Sequence, residues 1–221
     1  MATITLPVPI RTQSVDWTAA DLMQRFGPMP LARVRMSPAP GTASEDDVVR
    51  IHDSESRLFE LVDATLLEKT MGTWESCVAA ILVRIMGTFV SENDLGIVLG
   101  ADGTVRLTPG LVRIPDVSFI SWNRLPSRRI PDVSIANVVP DLAVEVISRS
   151  NTAEEMARKL DDYLTHGVRL IWYIDPRTQE AKVYHGSKEF EVRTHAQSLD
   201  GGDVVPGFLM PMAELFRNAP A

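Results

Sequence analysis

Two acidic residues in apolar surroundings are the first candidates for chemistry. Asp116 follows a proline near the start of the apolar run 113–120, and Glu145 lies in the middle of the apolar run 141–147. A buried carboxylate is costly unless a cation or hydrogen-bond donors compensate it. If the two runs are neighbouring strands joined by the loop 121–139, both carboxylates converge on one point. Two carboxylates completed by water and a phosphate suit Mg²⁺, so this arrangement predicts a metal site.

Lys159 is the candidate cation beside these acids. It lies on the amphipathic helix expected over 153–166, next to Leu160 at the border of the apolar face. From there its ammonium could stabilise developing negative charge or help to activate a water. Each residue also has an ordinary explanation: Pro-Asp is often only a turn, a mid-strand Glu can form a structural ion pair, and a helix lysine is usually solvated. The ordered combination is more specific than any single member.

The elements expected around these residues form an α/β arrangement with a mixed sheet. The strand 141–147, the helix 153–166 and the strand 170–175 form a βαβ unit, which predicts parallel strands and a right-handed crossover. Earlier in the chain, two short strands over 57–69 enclose a turn near Asp63 and Ala64.

A long helix over 73–92 is apolar around much of its circumference and is expected to be central. Its single cysteine, Cys77, is expected to be core packing. Because this is the chain's one cysteine, an internal disulfide and a cysteine-rich zinc site are excluded.

Composition limits the function classes. The 221 residues are 45% hydrophobic, which suits one domain with a sizeable core and an irregular arm. The net charge of −7 argues against a strongly basic nucleic-acid coat protein but allows a local basic patch. The arginines expected in that patch are Arg124, Arg128, Arg129, Arg149 and Arg158. No apolar run of about 18 residues and no signal pattern were found, which predicts a cytoplasmic protein without a membrane span.

Residues 1–56 are predicted to be an N-terminal arm and residues 57–221 the domain that carries the site. The arm contains a short helix candidate over 16–26, which Gly27 ends, and then a proline-rich connection. We expect the arm to pack on the outside of the domain or on a partner subunit. A disordered linker is the competing interpretation.

Three segments resemble a known family. They are RIPDVSFI (113–120), PDLAVEVISRSN (140–151) and KLDDYLTHGVRLIWYIDPRTQEAKVY (159–184). Together they are similar to the Uma-two restriction endonuclease family of the PD-(D/E)XK nuclease superfamily. The resemblance covers about residues 57–216, and its opening hairpin has Ala64 where the family usually has glycine.

The resemblance implies a restriction-endonuclease-like core, in which helices flank a mixed β-sheet, and hydrolysis of DNA phosphodiester bonds with Mg²⁺ or Mn²⁺. Asp116 matches the Pro-Asp acid and Glu145 the second acid of the motif, so both are the implied metal ligands. The superfamily lysine would fall at Ile147, but this family is expected to carry it on the next helix, as Lys159. Superfamily nucleases often add a carboxylate from the first core helix, and Glu75 is the candidate by position.

The leading hypothesis is therefore a metal-dependent DNA endonuclease. The alternative is a catalytically inactive nuclease-fold module for binding or assembly, in which Glu145 and Lys159 form only a structural ion pair. A third candidate is a phosphodiesterase acting on RNA or a nucleotide. The presence of Asp116, Glu145 and Lys159 together favours the enzyme, and a homodimer is expected to help an acidic chain hold DNA.

Overall fold

A six-stranded mixed sheet and a four-stranded antiparallel sheet form the centre of the fold in residues 17–217, which the computed structural model describes. The helices are α1 (Ala19–Phe26), α2 (Glu45–Glu55), α3 (Thr73–Glu92), α4 (Ala153–Thr165) and α5 (Met212–Leu215). The strands are β1 (Phe59–Val62), β2 (Thr65–Glu68), β3 (Gly96–Leu99), β4 (Val105–Thr108), β5 (Leu111–Arg113), β6 (Val117–Ser121), β7 (Leu142–Val146), β8 (Leu170–Asp175), β9 (Glu180–Tyr184), β10 (Phe190–Arg193), β11 (Ser198–Asp200) and β12 (Leu209–Pro211). The predicted α/β class is confirmed.

The larger sheet has the strand order β10-β9-β8-β7-β6-β3. Strands β7 and β8 are parallel and are connected through α4, while β6 pairs with β7 in the antiparallel sense. All five residues of β7 are buried, so this strand is covered on both faces. The predicted βαβ unit and the predicted pairing of the Asp116 and Glu145 segments are both present.

The run 113–120 is two strands rather than the single strand predicted. Strand β5 ends at Arg113 in the four-stranded sheet, whose order is β2-β1-β5-β4, and β6 begins at Val117 in the six-stranded sheet. Pro115 separates them because proline has no N–H to donate to a strand partner. Asp116 therefore lies where the chain passes from one sheet to the other.

Helix α3 packs on β6 and β7 through a buried stripe that includes Val78, Leu82, Met86 and Val90. The prediction that Cys77 is core packing is wrong: Cys77 is exposed because it lies outside this stripe. An 18-residue window of α3 has a mean hydropathy of 1.4, so by length and composition alone this helix is long and apolar enough to cross a membrane. One such helix is weak evidence for a membrane span, and core helices also meet these criteria.

The described part of the predicted arm, residues 17–56, packs on the four-stranded sheet. Phe26 of α1 contacts the cluster that contains Leu67, and Ile51 of α2 packs in the cluster that contains Phe59. Residues 1–16 lie outside the described residues, and the division of the chain at residue 56 stays a prediction.

Candidate active site

Asp116 and Glu145 converge at the junction of β6 and β7. The Asp116 backbone N–H donates to Val144 O at 2.9 Å, and Val146 N–H donates to Asp116 Oδ2 at 2.6 Å. Both acids are buried, with 3% and 4% of their surface exposed. These backbone bonds place the Asp116 carboxylate beside the carboxyl-terminal end of β7, which carries Glu145.

A lysine that the sequence analysis did not single out lies between the two acids. Lys69, directly after β2, places its Nζ 2.6 Å from Asp116 Oδ1 and 3.6 Å from Glu145 Oε2. The sum of these two distances is the upper limit for the separation of the two carboxylate oxygens. Because that sum is below about 8 Å, the two acids are close enough to share one metal ion. Burial alone would lower the pKa of Lys69, but Glu145, Asp116 and Glu60 outweigh it and raise that pKa above its usual range.

Lys159 lies on the buried face of α4 and reaches back to Glu145. Its Nζ is 3.1 Å from Glu145 Oε1 and 3.0 Å from Oε2, and only 3% of the residue is exposed. Tyr163, four residues further along the helix, donates its hydroxyl to Glu145 Oε1 at 2.5 Å. Burial and the charge of Glu145 raise the pKa of Tyr163 well above its ordinary value, so this hydroxyl stays a proton donor. Positions four residues apart share a helix face, which explains the alignment.

Glu60 of β1 anchors Lys159 from the other sheet. Glu60 Oε1 is 3.1 Å from Lys159 Nζ, and Arg113 Nη1 donates to Glu60 Oε2 at 2.7 Å. Arg113 also pairs with Asp162 of α4. Burial would raise the pKa of Glu60, but Lys159, Arg113 and Lys69 lower it below its usual range. The network thus keeps Glu60 ionised and joins both sheets to α4.

The first turn of α4 adds a helix cap and a further ion pair to this network. Thr152 caps the helix by accepting from the Glu155 N–H at 3.1 Å. The Glu155 carboxylate accepts two bonds from Arg33, at 3.0 and 2.7 Å, and one from Asn151 at 3.2 Å. Arg33 lies in a short 3₁₀ turn, Leu31–Arg33, so the N-terminal segment forms one wall of the site.

A narrow cleft opens onto these groups. Its lining includes Lys69, Asp116, Glu145 and Lys159, and the predicted Glu75, at the start of α3, lines it too. The free volume is ≈ 10 Å³, about enough for one water molecule. The structure therefore brings all four predicted site residues to one cleft, and their catalytic roles stay predictions.

The donor set can be tested against a divalent metal. In the part of the chain that the structure describes, no group of three or more His, Cys, Asp or Glu side chains is arranged to hold a metal ion. Mg²⁺ is commonly held by one or two carboxylates, with waters and substrate phosphates completing its shell, so a pair is sufficient. Asp116 and Glu145 already share one cation, the Lys69 ammonium, which shows that both can face a single positive charge. The pair fits a divalent cation.

The predicted arginine patch is not assembled around the cleft. Arg124 donates to Asp141 and to Gly167 O, at the opposite end of β7. Arg128 pairs with Asp94, and Arg158 donates to Asp63 and to a backbone carbonyl of the N-terminal segment. Three of the five arginines are thus engaged away from Glu145.

Sequence reasoning missed Lys69, Glu60 and Arg113. Glu60 alternates with apolar residues in β1, as Glu145 does in β7, and this pattern was a usable signal. Lys69 follows the hairpin directly, where a lysine is ordinarily solvated. Its role depends on how the four-stranded sheet docks against β7, which no local pattern reports.

The chain belongs to the Uma2 family, the Uma-two family that its motifs resemble. The family model, described as "Putative restriction endonuclease", matches residues 46–213. The match thus begins in α2, inside the predicted arm.

A solved structure has a similar fold. The chain resembles a protein described as a "putative nuclease belonging to DUF820" from Anabaena variabilis, with a TM-score of 0.64 and 20% sequence identity. The similarity covers 72% of this chain and 90% of that protein. It shows a shared fold. No curated protein matches the chain.

Proposed function

We propose that this protein is a divalent-metal-dependent endonuclease that hydrolyses DNA phosphodiester bonds. The observation that carries the proposal is the convergence of Asp116, Glu145 and Lys159, with both acids facing one shared cation. Membership of a family described as "Putative restriction endonuclease" supports a nucleic-acid substrate.

Asp116 and Glu145 would hold the Mg²⁺ or Mn²⁺ ion. When bound, such an ion polarises a phosphoryl oxygen and lowers the pKa of its water. The chain contributes pre-organised charge: Val146 N–H fixes the Asp116 carboxylate, and Tyr163 fixes that of Glu145. A carboxylate held by such bonds needs little reorganisation during the reaction.

Lys159 would compensate the charge of Glu145 and supply positive charge near the reacting phosphate. Its position is fixed from three directions, by both Glu145 oxygens and by Glu60 Oε1. Glu75, at the start of α3, would add a third carboxylate on the wall of the cleft.

The phosphate backbone would enter over the loop that joins β7 to α4. Ser148 and Asn151 of this loop line the cleft, and Arg149 between them is exposed. An exposed arginine at this edge suits contact with a phosphate. Because the whole chain is acidic, we propose that a homodimer presents two such edges to one duplex.

The test is a nicking assay with supercoiled plasmid and Mg²⁺ or Mn²⁺. We expect nicking by the wild type, strong loss in Glu145→Gln and Lys159→Gln, and wild-type activity in Lys188→Gln, a surface control. The same assay on a matched RNA separates DNA from RNA as substrate. Equal nicking by all four proteins would reveal a contaminant, and no nicking with either metal would contradict the proposal.

One observation favours the second candidate, an inactive binding or assembly module. The buried acids Glu60, Asp116 and Glu145 face an equal number of bases, namely the buried Arg113 and Lys159 and the part-buried Lys69. Such a balanced cluster can be structural only. If so, calorimetry would detect no Mn²⁺ binding, and Glu145→Gln would alter stability without altering any cleavage.

A further inference from the structure

The two lysines at the candidate site are held very differently. Lys159 lies in the second turn of α4 between Met156 and Tyr163, with 4% of its side chain exposed, and it contacts Glu145 and Glu60. Lys69 lies directly after β2, with one contact to a carboxylate at 2.6 Å and a second at 3.6 Å. The Lys159 ammonium is therefore fixed by its helix and by three oxygens, whereas Lys69 has one close partner.

Lys69 is also the less buried of the two lysines. The loop that follows it, 70–72, connects β2 to α3, and both Thr70 and Gly72 are exposed. The lysine side chain is long and flexible, with its charge at the tip. Because Lys69 lines the cleft and 9% of its side chain is exposed, an outward rotation of its tip leads toward solvent.

The Lys69 ammonium occupies the position between the two proposed metal ligands. A buried pair of carboxylates needs a compensating charge at all times, because an uncompensated buried charge is strongly destabilising. A divalent ion bound by both carboxylates would repel an ammonium that stayed among them.

We propose that Lys69 is an exchangeable cation of this site: its ammonium compensates Asp116 and Glu145 in the absence of metal and leaves them when a divalent metal binds. This inference rests on the proposed function. Lys69 then stabilises the metal-free protein and competes with the metal. The competition weakens the apparent affinity for the metal by a constant factor, set by how strongly the lysine holds the two carboxylates.

The first measurement is calorimetric titration of the full-length protein with MnCl₂. We expect Lys69→Met and Lys69→Gln to bind Mn²⁺ at least about tenfold more tightly than the wild type. One opposite charge nearby shifts the pKa of a carboxylate by about one unit or more, which is about tenfold in a binding equilibrium at that carboxylate. Lys188→Met removes a lysine whose side chain is 72% exposed, so it changes the net charge equally and should leave the affinity unchanged.

Thermal unfolding gives a second readout that does not depend on activity. Without metal, both Lys69 variants should unfold at lower temperature than the wild type. With saturating Mn²⁺, their unfolding temperature should rise by more than that of the wild type. If Lys69→Met does not fold without metal, the unfolding temperature of Lys69→Gln is compared with that of the wild type instead, since the glutamine amide can still donate to Asp116.

The outcomes separate the two proposals. Equal or weaker Mn²⁺ binding by Lys69→Gln, with metal-dependent nicking by the wild type, overturns the exchange and leaves the nuclease proposal standing. Absence of Mn²⁺ binding in the wild type and in both variants overturns both. Tighter binding in both Lys69 variants and in Lys188→Met would assign the effect to net charge and would also overturn the exchange.

Discussion

Strand β7 has a buried acid at each end, and the two ends differ in what compensates that acid. At the amino-terminal end, Asp141 accepts from Ser121 N–H at 2.9 Å and from Arg124 Nε at 3.0 Å. At the other end, Glu145 faces Lys159 and Lys69. The side chain of Arg124 is 29% exposed, whereas the lysine side chains are 4% and 9% exposed.

The comparison shows that a Pro-Asp pair does not by itself define a catalytic acid. Asp116 and Asp141 both follow proline and are equally buried, yet β6 and β7 run antiparallel, so the two acids lie near opposite ends of β7. A third Pro-Asp acid, Asp132, is exposed. Asp141 is satisfied by a single N–H of Arg124 and by the Ser121 backbone N–H, which is a structural arrangement. Asp116 shares its cation with a second acid.

The largest expected effect is on activity. Asp116→Asn should reduce plasmid nicking by about 100-fold or more, because a ligand carboxylate supplies several kcal/mol of transition-state stabilisation and each 1.36 kcal/mol is about tenfold in rate. Asp141→Asn removes the same charge from the other end of β7 and should keep the rate within about threefold. Equal losses in the two variants would remove the distinction between the two ends.

The next effect is on stability. Lys159→Met should lower the free energy of unfolding by about 3 kcal/mol, because it leaves Glu145 and Glu60 with fewer partners inside the protein. Arg124→Gln should cost only about 1 kcal/mol, because water reaches this part-exposed pair and screens it. Urea unfolding followed by circular dichroism measures both. A larger cost for Arg124→Gln would show that the Asp141 end is the more dependent on its cation.

The smallest expected effect is on how stability changes with pH, and it involves Glu155. Burial would raise the pKa of Glu155, but Arg33 and Lys159 outweigh it and lower that pKa. A carboxylate with a lowered folded-state pKa stabilises the protein above its unfolded value of 4.5 and loses this contribution as the pH falls. Glu155→Gln should therefore be less stable than the wild type at pH 7. The difference between the two proteins in the free energy of urea unfolding should narrow below about pH 4.5. A difference that stays constant down to about pH 3 would contradict this.

The sequence was most informative where chemistry and local pattern coincide. The alternation around Glu145 and the spacing of the helix that carries Lys159 predicted β7, α4 and β8 as one unit, and the structure contains it. The break at Pro115 was missed because an apolar run on both sides of a proline resembles one strand. Lys69 was missed because its partners are distant in the chain.

The pleat of β7 has a consequence for how the chain folds. Leu142, Val144 and Val146 belong to the largest apolar cluster, while Ala143 packs in the cluster on the other side of the sheet, with Tyr163. Because side chains alternate, a slip of β7 by one residue would place the Glu145 carboxylate in the largest apolar cluster, without its lysines. Glu145 therefore also favours the correct register of β7, because the shifted register would bury an unpaired charge and be less stable.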